Sequence, residues 1–301
     1  MPRPPDRPRR RGPGGAGKLR LDSLQRAPPR ADRFRVTPRA RGVCVSHTSA
    51  TFEFEGFSIP EELAVLTGGG GESWAHIARA HLSAYERLCP IEAGQRVLEV
   101  GCGVGRDAIP LSQRLGSEGR YVGVDIIEPS ISWCRSNITP RRPNTRFEHL
   151  DVHNAAYNPA GSLSALDVRF PVEDGWADRI VLQSVFTHMF ADEIQRYLAE
   201  FRRILAPEGR VFATFFVTDL RTLRTARRSR AQLAFRHRWG RGCRICDPDN
   251  PPGAVGYTPA ALGRMLRRTG MALAQPIQRG FWSGRTGAVD GQDIAILSRR
   301  H

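Results

Sequence analysis

The sequence predicts an α/β fold built on a doubly wound parallel sheet. Three observations carry that reading. Short apolar runs of buried-strand length recur from residue 96 onward, helical stretches separate them, and the first run ends in glycines at alternate positions, Gly101, Gly103 and Gly105. Strands alternating with helices at this spacing favour parallel pairing through right-handed crossovers.

The elements follow in order. Residues 1–42 are rich in Arg, Pro and Gly with almost no periodic apolar residues, so they are expected to form an unstructured tail. Residues 43–90 form a small N-terminal cap. FEFEGFSIPEELAVL leads to Gly68–Gly71, and in the next stretch Trp74, Ile77, Ala78, His81, Leu82, Tyr85 and Leu88 recur at helical spacing. From residue 91 to 301 runs the main domain. Its strands are expected at Arg96–Val100, Tyr121–Asp125, Arg146–Leu150, Arg179–Leu182 and Arg210–Phe216. Helices are expected at Asp107–Leu115, Pro129–Ser136, Glu193–Leu205 and Pro259–Arg268, the third stopped by Pro207 and Gly209. MALAQPIQ and DIAIL supply two late strands.

Composition narrows the function classes. The chain has 301 residues, 40% hydrophobic and 25% charged, enough for one full core. No apolar run approaches the roughly 18 residues of a membrane span. The arginines at the start are followed by no apolar segment, so a secretory signal is not expected. Six scattered cysteines lack the density of a disulfide scaffold, and a reduced, cytoplasmic protein is the expectation. The net charge of +15 is concentrated at one end: residues 1–42 hold thirteen basic and three acidic residues, against 32 and 27 in the remainder. The tail reads as a nucleic-acid arm, a targeting or regulatory segment, or an over-extended start with little function, and the last is favoured. The charge alone is therefore weak evidence for any partner, and nucleic acid is an unlikely one.

The segment Val97–Asp107, VLEVGCGVGRD, carries the chemistry. A buried strand runs into three glycines and then a helix, where the backbone turns sharply and a ligand meets helix N-terminal amides. A dinucleotide loop prefers G-x-G-x-x-G, but Arg106 stands at its sixth position. Glu99 would repel a pyrophosphate and suits a ligand bearing a cationic amine. Asp125, 24 residues after Gly101, ends the next strand, where a carboxylate accepts from ribose hydroxyls. Asp151 follows the third strand, where it can accept from an adenine amino group. The competing readings are a plain strand–helix turn for the glycines, a helix N-cap for Asp125 and a turn residue for Asp151.

At these residues the chain resembles the class I S-adenosylmethionine-dependent methyltransferases. E-x-G-x-G-x-G, the post-strand Asp125, the Leu-Asp-Val at 150–152 and FRRILAPEGRVFATFF stand in that family's order. The resemblance covers residues 91–301. It implies a Rossmann-like seven-stranded sheet ordered 3-2-1-4-5-7-6 with strand 7 antiparallel, and S-adenosylmethionine as cofactor. By the same resemblance Glu99, Gly101, Cys102, Gly103 and Gly105 cradle the methionine part. Asp125 with Ile126 holds the ribose, Asp151 with Val152 the adenine, and Gln183 completes the set.

The acceptor is less legible. The fourth-strand end, LQSVFTHM, lacks the tetrad that grips a planar nucleobase nitrogen; Asn250-Pro251-Pro252-Gly253 lies after strand five and lacks the aromatic fourth residue. His188 stands where an acceptor approaches and is the candidate general base, with simple packing as its alternative. The resemblance to members with this T-H-M ending implies methylation of a hydroxyl on a sugar or secondary metabolite. A protein or RNA methyltransferase recruited by arginine-rich segments, or a cofactor-binding regulator without turnover, are the alternatives. Arg221–Arg241, with eight arginines, reads as a solvated lid, an anionic-acceptor site or an RNA contact. Cys243 and Cys246 read as two cysteines in a surface loop, with no metal site. Phe52, Phe54, Phe57 and Trp74 are candidates to roof the acceptor pocket, although core packing is the safer reading of Trp74.

Overall fold

A computed structural model describes residues 50–228, 233–284 and 288–300. The expected tail at 1–42 lies outside the described residues. The chain opens with an antiparallel hairpin, β1 (Thr51–Phe54) and β2 (Phe57–Pro60). Glu55 and Gly56 connect them with φ of 48° and 78°, the backbone a two-residue hairpin needs to match strand twist. After the short α1 (Glu61–Ala64) comes α2 (Gly71–Leu88), which buries Trp74, Ala78, His81 and Tyr85 at helical spacing. Trp74 is fully buried, and Phe52 and Phe54 meet it edge-on at 5.5 and 4.9 Å. Phe54 and Phe57 are buried as well, so three of the four candidate roof residues are core.

The alternating part then follows: β3 (Arg96–Val100), α3 (Ala108–Leu115), β4 (Arg120–Asp125), α4 (Glu128–Asn137), β5 (Thr145–His149), β6 (Ala177–Leu182), α5 (Ala191–Ile204) and β7 (Leu205–Val217). The strands lie side by side, all parallel, in the order β5-β4-β3-β6-β7. Their side chains alternate between two apolar layers. Leu98, Val122, Ile180 and Leu182 face α5, while Val97, Tyr121, Val181 and Phe212 face α2, α3 and α4. Strands covered on both faces read as continuous apolar runs, which is why they were visible in the sequence.

Past β7 the chain adds α6 (Leu220–Arg228), β8 (His237–Arg238), β9 (Cys243–Ile245), β10 (Val255–Tyr257), α7 (Pro259–Arg268), β11 (Met271–Leu273) and β12 (Asp293–Arg299). Pro259 occupies the first turn of α7, and the Thr258 hydroxyl accepts from the Ala261 amide. β12 pairs antiparallel with β7 over residues 211–215 and carries β11 on its outer side. The last two residues of β7 pair instead with β10, which carries β9 and β8. One long strand thus serves two neighbours, and the sheet forks at its carboxyl end.

Three sequence expectations change here. The strand expected across 271–278 ends at Leu273, with only an isolated bridge from Gln278 to Ile294. The strand expected from Arg210 begins at Leu205, because Leu205 already pairs with Ala177. The segment around Cys243 is no surface loop: Cys243 and Ile245 are buried on β9, and Cys246 is half-buried. Two- and three-residue strands leave no periodicity to read. The five described cysteines are free, and no group of three His, Cys, Asp or Glu among the described residues is arranged to hold a metal ion. No helix among them is long and apolar enough to cross a membrane.

Candidate active site

The carboxyl ends of β3, β4, β5 and β6 converge at the point where the chain leaves β3 for strands on either side, the place where open α/β sheets hold ligands. Gly101, Gly103 and Gly105 have φ of 79°, 52° and 84°. A Cβ on Gly101 would lie 2.6 Å from Val185 Cγ2, and one on Gly103 would lie 2.3 Å from Thr67 Cγ2. Both left-handed backbone and close approach therefore require glycine. The Val185 contact brings the segment after β6 against the loop.

Asp125 is fastened into this loop. One of its carboxylate oxygens accepts from the Gly103 amide at 2.7 Å and the other from the Ile127 amide at 2.9 Å. Burial raises its pKa above 3.8 although these bonds oppose the rise. Tyr157 lies near enough for the Asp125 charge to help burial raise its phenol. Glu99 is buried and accepts from the Tyr121 hydroxyl. Burial, then the neighbouring Asp107 charge, lift its carboxyl well above the usual range. Three acidic side chains thus crowd the loop, and the crowding itself favours the protonated form of Glu99.

Asp107 has its own framework. His81 Nδ1 lies 2.9 Å from it, and Tyr85 donates its hydroxyl at 2.6 Å. Burial works to raise its pKa, but the His81 and Arg106 charges and these hydrogen bonds hold it below 3.8. Arg106 reaches back to the Thr67 carbonyl at 2.8 Å, and Trp74 Nε1 donates to the Thr67 hydroxyl at 3.0 Å. The segment before β3 is therefore tied directly onto the glycine loop. Sequence reasoning took His81 and Tyr85 as core positions; the available signal was two polar residues at i and i+4 within an apolar stripe.

The remaining candidates divide. Cys102 is buried, its thiol 3.7 Å from the Gly103 carbonyl. Ile126 is half-buried, and its carbonyl lies 3.2 Å from His149 Nε2. Gln183 follows β6; its side chain faces the Tyr85 hydroxyl, and its buried Nε2 makes no hydrogen bond of good geometry among the described residues. Val152 is buried, but Asp151 is exposed and occupied locally. It accepts from the Ser162 hydroxyl at 2.6 Å, the Ser162 amide at 3.1 Å and Asn158 at 3.2 Å. Those bonds, Ser162 first, hold its carboxyl below 3.8.

His188 lies on a single turn after β6, three residues beyond Val185. Its Nδ1 is 3.0 Å from the Pro252 carbonyl, which only accepts, so Nδ1 carries the proton and Nε2 the lone pair. Burial lowers its pKa below 6.5, against the pull of the Pro252 and Gly253 carbonyls. The Asn-Pro-Pro-Gly segment dismissed as a nucleobase grip thus anchors this imidazole.

A glycine cradle with Asp125 fastened at its edge fits a ligand that joins a nucleoside to an amino acid. Residues 97–209 match the family model described as a methyltransferase domain. The chain is 28% identical over 213 residues to an uncharacterized 37.1 kDa protein in transposon TN4556 of Streptomyces fradiae, covering 67% of this chain and 56% of that protein. It is 30% identical over 122 residues to nocamycin O-methyltransferase of Saccharothrix syringae, 40% of this chain and 38% of that protein. The chain therefore spans about half the length, or less, of these two relatives. The fold is similar to that of protein PH0226 from Pyrococcus horikoshii OT3, with a TM-score of 0.51, 16% identity and coverage of 76% and 92% of the two chains. Residues 97–209 thus match a methyltransferase domain, carried on the α/β fold that the chain shares with that neighbour.

Proposed function

We propose that this chain transfers the methyl group of S-adenosylmethionine to a hydroxyl of a small molecule, a sugar or secondary metabolite, with His188 as general base. The observation that carries the reading is the His188 tautomer. With Nδ1–H committed to the Pro252 carbonyl, burial keeps the ring neutral and Nε2 is available to take a proton. The relative named as an O-methyltransferase leans the same way.

When bound, the cofactor supplies a methyl group already activated on a sulfonium sulfur. The protein's part is to hold, align and exclude water. Glu99 and the 101–105 loop would hold the methionine ammonium, Cys102 lining that loop. Asp125 beside Ile126 would take the ribose hydroxyls, and Gln183 would line the same pocket. Val152 would wall the adenine, and Asp151 would exchange its Ser162 bonds for the adenine amino group.

Calorimetry and methyl-transfer kinetics test this. Asp125→Ala is expected to abolish binding of S-adenosylmethionine and S-adenosylhomocysteine in a folded protein. His188→Gln is expected to keep both affinities and lower kcat toward hydroxyl acceptors by about 10²–10⁴. Binding of NAD in their place, or full turnover by His188→Gln, would refute it.

A further inference from the structure

Ser184 immediately follows Gln183 and has a φ of 58°. Among the described residues only Glu55, in the hairpin turn, shares this backbone without being glycine. Glycine would adopt it without strain, so what serine adds is its hydroxyl. The backbone is held in place by the buried Thr214, whose hydroxyl accepts from the Ser184 amide at 2.8 Å. The Ser184 hydroxyl accepts from Gln292 Nε2 at 2.8 Å. It lies 3.3 Å from Thr187 Oγ1 and 3.5 Å from His188 Nε2. Ser184 is exposed, whereas Thr187 is fully buried. Gln292 is separated from Ser184 by 108 residues and Pro252 from His188 by 64, so segments distant in the chain meet around this serine–histidine pair.

We propose that Ser184, fixed by Gln292, is the seat for the acceptor's hydroxyl. The 3.5 Å contact with Nε2 is at the outer limit of a hydrogen bond. An acceptor oxygen entering there accepts from Ser184 and donates to His188 Nε2. As its bond to the methyl carbon forms and the sulfur–methyl bond breaks, its proton passes to Nε2, leaving S-adenosylhomocysteine and an imidazolium. The seat selects alcohols and phenols, which donate and accept at one atom. A protonated amine has no lone pair to accept from Ser184. The inference rests on His188 as base. Everything facing that ring through a hydrogen bond is uncharged: Ser184, and the Pro252 and Gly253 carbonyls.

Ser184→Gly and Ser184→Ala test it in two arms, on protein saturated with S-adenosylhomocysteine. In the first arm, thermal melting and NMR titration of the His188 ring need no acceptor. Ser184→Gly is expected to melt at or above the wild-type temperature, because strain is relieved. Both variants are expected to raise the His188 midpoint, because a donor to the neutral ring is lost. An unmoved midpoint in both, or a Ser184→Gly melt several degrees lower, overturns the proposal by making the serine structural. The second arm uses tritiated S-adenosylmethionine with phenol, catechol and methyl glycosides as probes. With any probe the wild type methylates, both variants are expected to lower kcat at least tenfold without changing the S-adenosylhomocysteine Kd, and unchanged kcat overturns the seat. Wild-type turnover of amine or thiol probes alone refutes the hydroxyl acceptor, while the first arm still decides whether Ser184 acts on His188.

Discussion

Gly103→Ala is expected to separate two costs that coincide at one atom. At φ of 52° an L-residue pays about 1–2 kcal/mol for left-handed backbone. Its Cβ would also lie 2.3 Å from Thr67 Cγ2. Thr67 cannot swing aside cheaply. Its hydroxyl donates to the Ala64 carbonyl at 2.6 Å and accepts from Trp74, and Arg106 grips both its hydroxyl and its carbonyl. Overpacking of this kind costs about 1–3 kcal/mol. The sum, roughly 2–5 kcal/mol, corresponds to about 4–20 °C in Tm for a domain of this size. Thr67→Ser deletes only the Cγ2 methyl and keeps every one of those hydrogen bonds. In the double variant the overlap should vanish while the backbone cost stays, so a melting or denaturant double-mutant cycle should return a coupling of about 1–3 kcal/mol. Additivity within about 0.5 kcal/mol would refute the argument that Thr67 sits directly on the loop.

Two pH-linked predictions concern the carboxylates. Because the folded pKa of Glu99 is raised, the native chain keeps a proton that the unfolded chain loses, so this residue's contribution to stability falls as pH climbs above 4.5. Glu99→Gln removes that slope, so the Tm of the variant should rise relative to that of wild type from pH 4.5 to 7.5; a constant difference sinks the reading. Asp107 has the opposite sign. Its folded pKa is depressed, so its contribution is full above 3.8 and is lost as pH falls through the folded value. Asp107→Asn, which weakens the buried hydrogen bonds to His81 and Tyr85, should cost about 1–3 kcal/mol at pH 7 in urea denaturation, and an unchanged stability would show the contacts to be idle.

The parallel strands, the glycine loop and Asp125 were legible because each leaves a local mark: a doubly buried strand is an unbroken apolar run, and left-handed backbone calls for glycine. β8, β9 and β10 left none, being two or three residues long, and so the forked end of the sheet and the burial of Cys243 went unread. Asp151 was legible as a strand-end acid, but not its engagement with Ser162, a loop partner eleven residues away.

Sequence by itself determined the alternation of strand and helix and the acids set at successive strand ends, since these follow from the 2.0 and 3.6 periodicities and from backbone sterics. Tertiary structure alone decided that His81 and Tyr85 hold Asp107, that Pro252 sets the His188 tautomer, and that Gln292 meets Ser184. Hydrogen bonds across 22 to 108 residues depend on where the folded core brings chain segments together, and no local pattern encodes that distance.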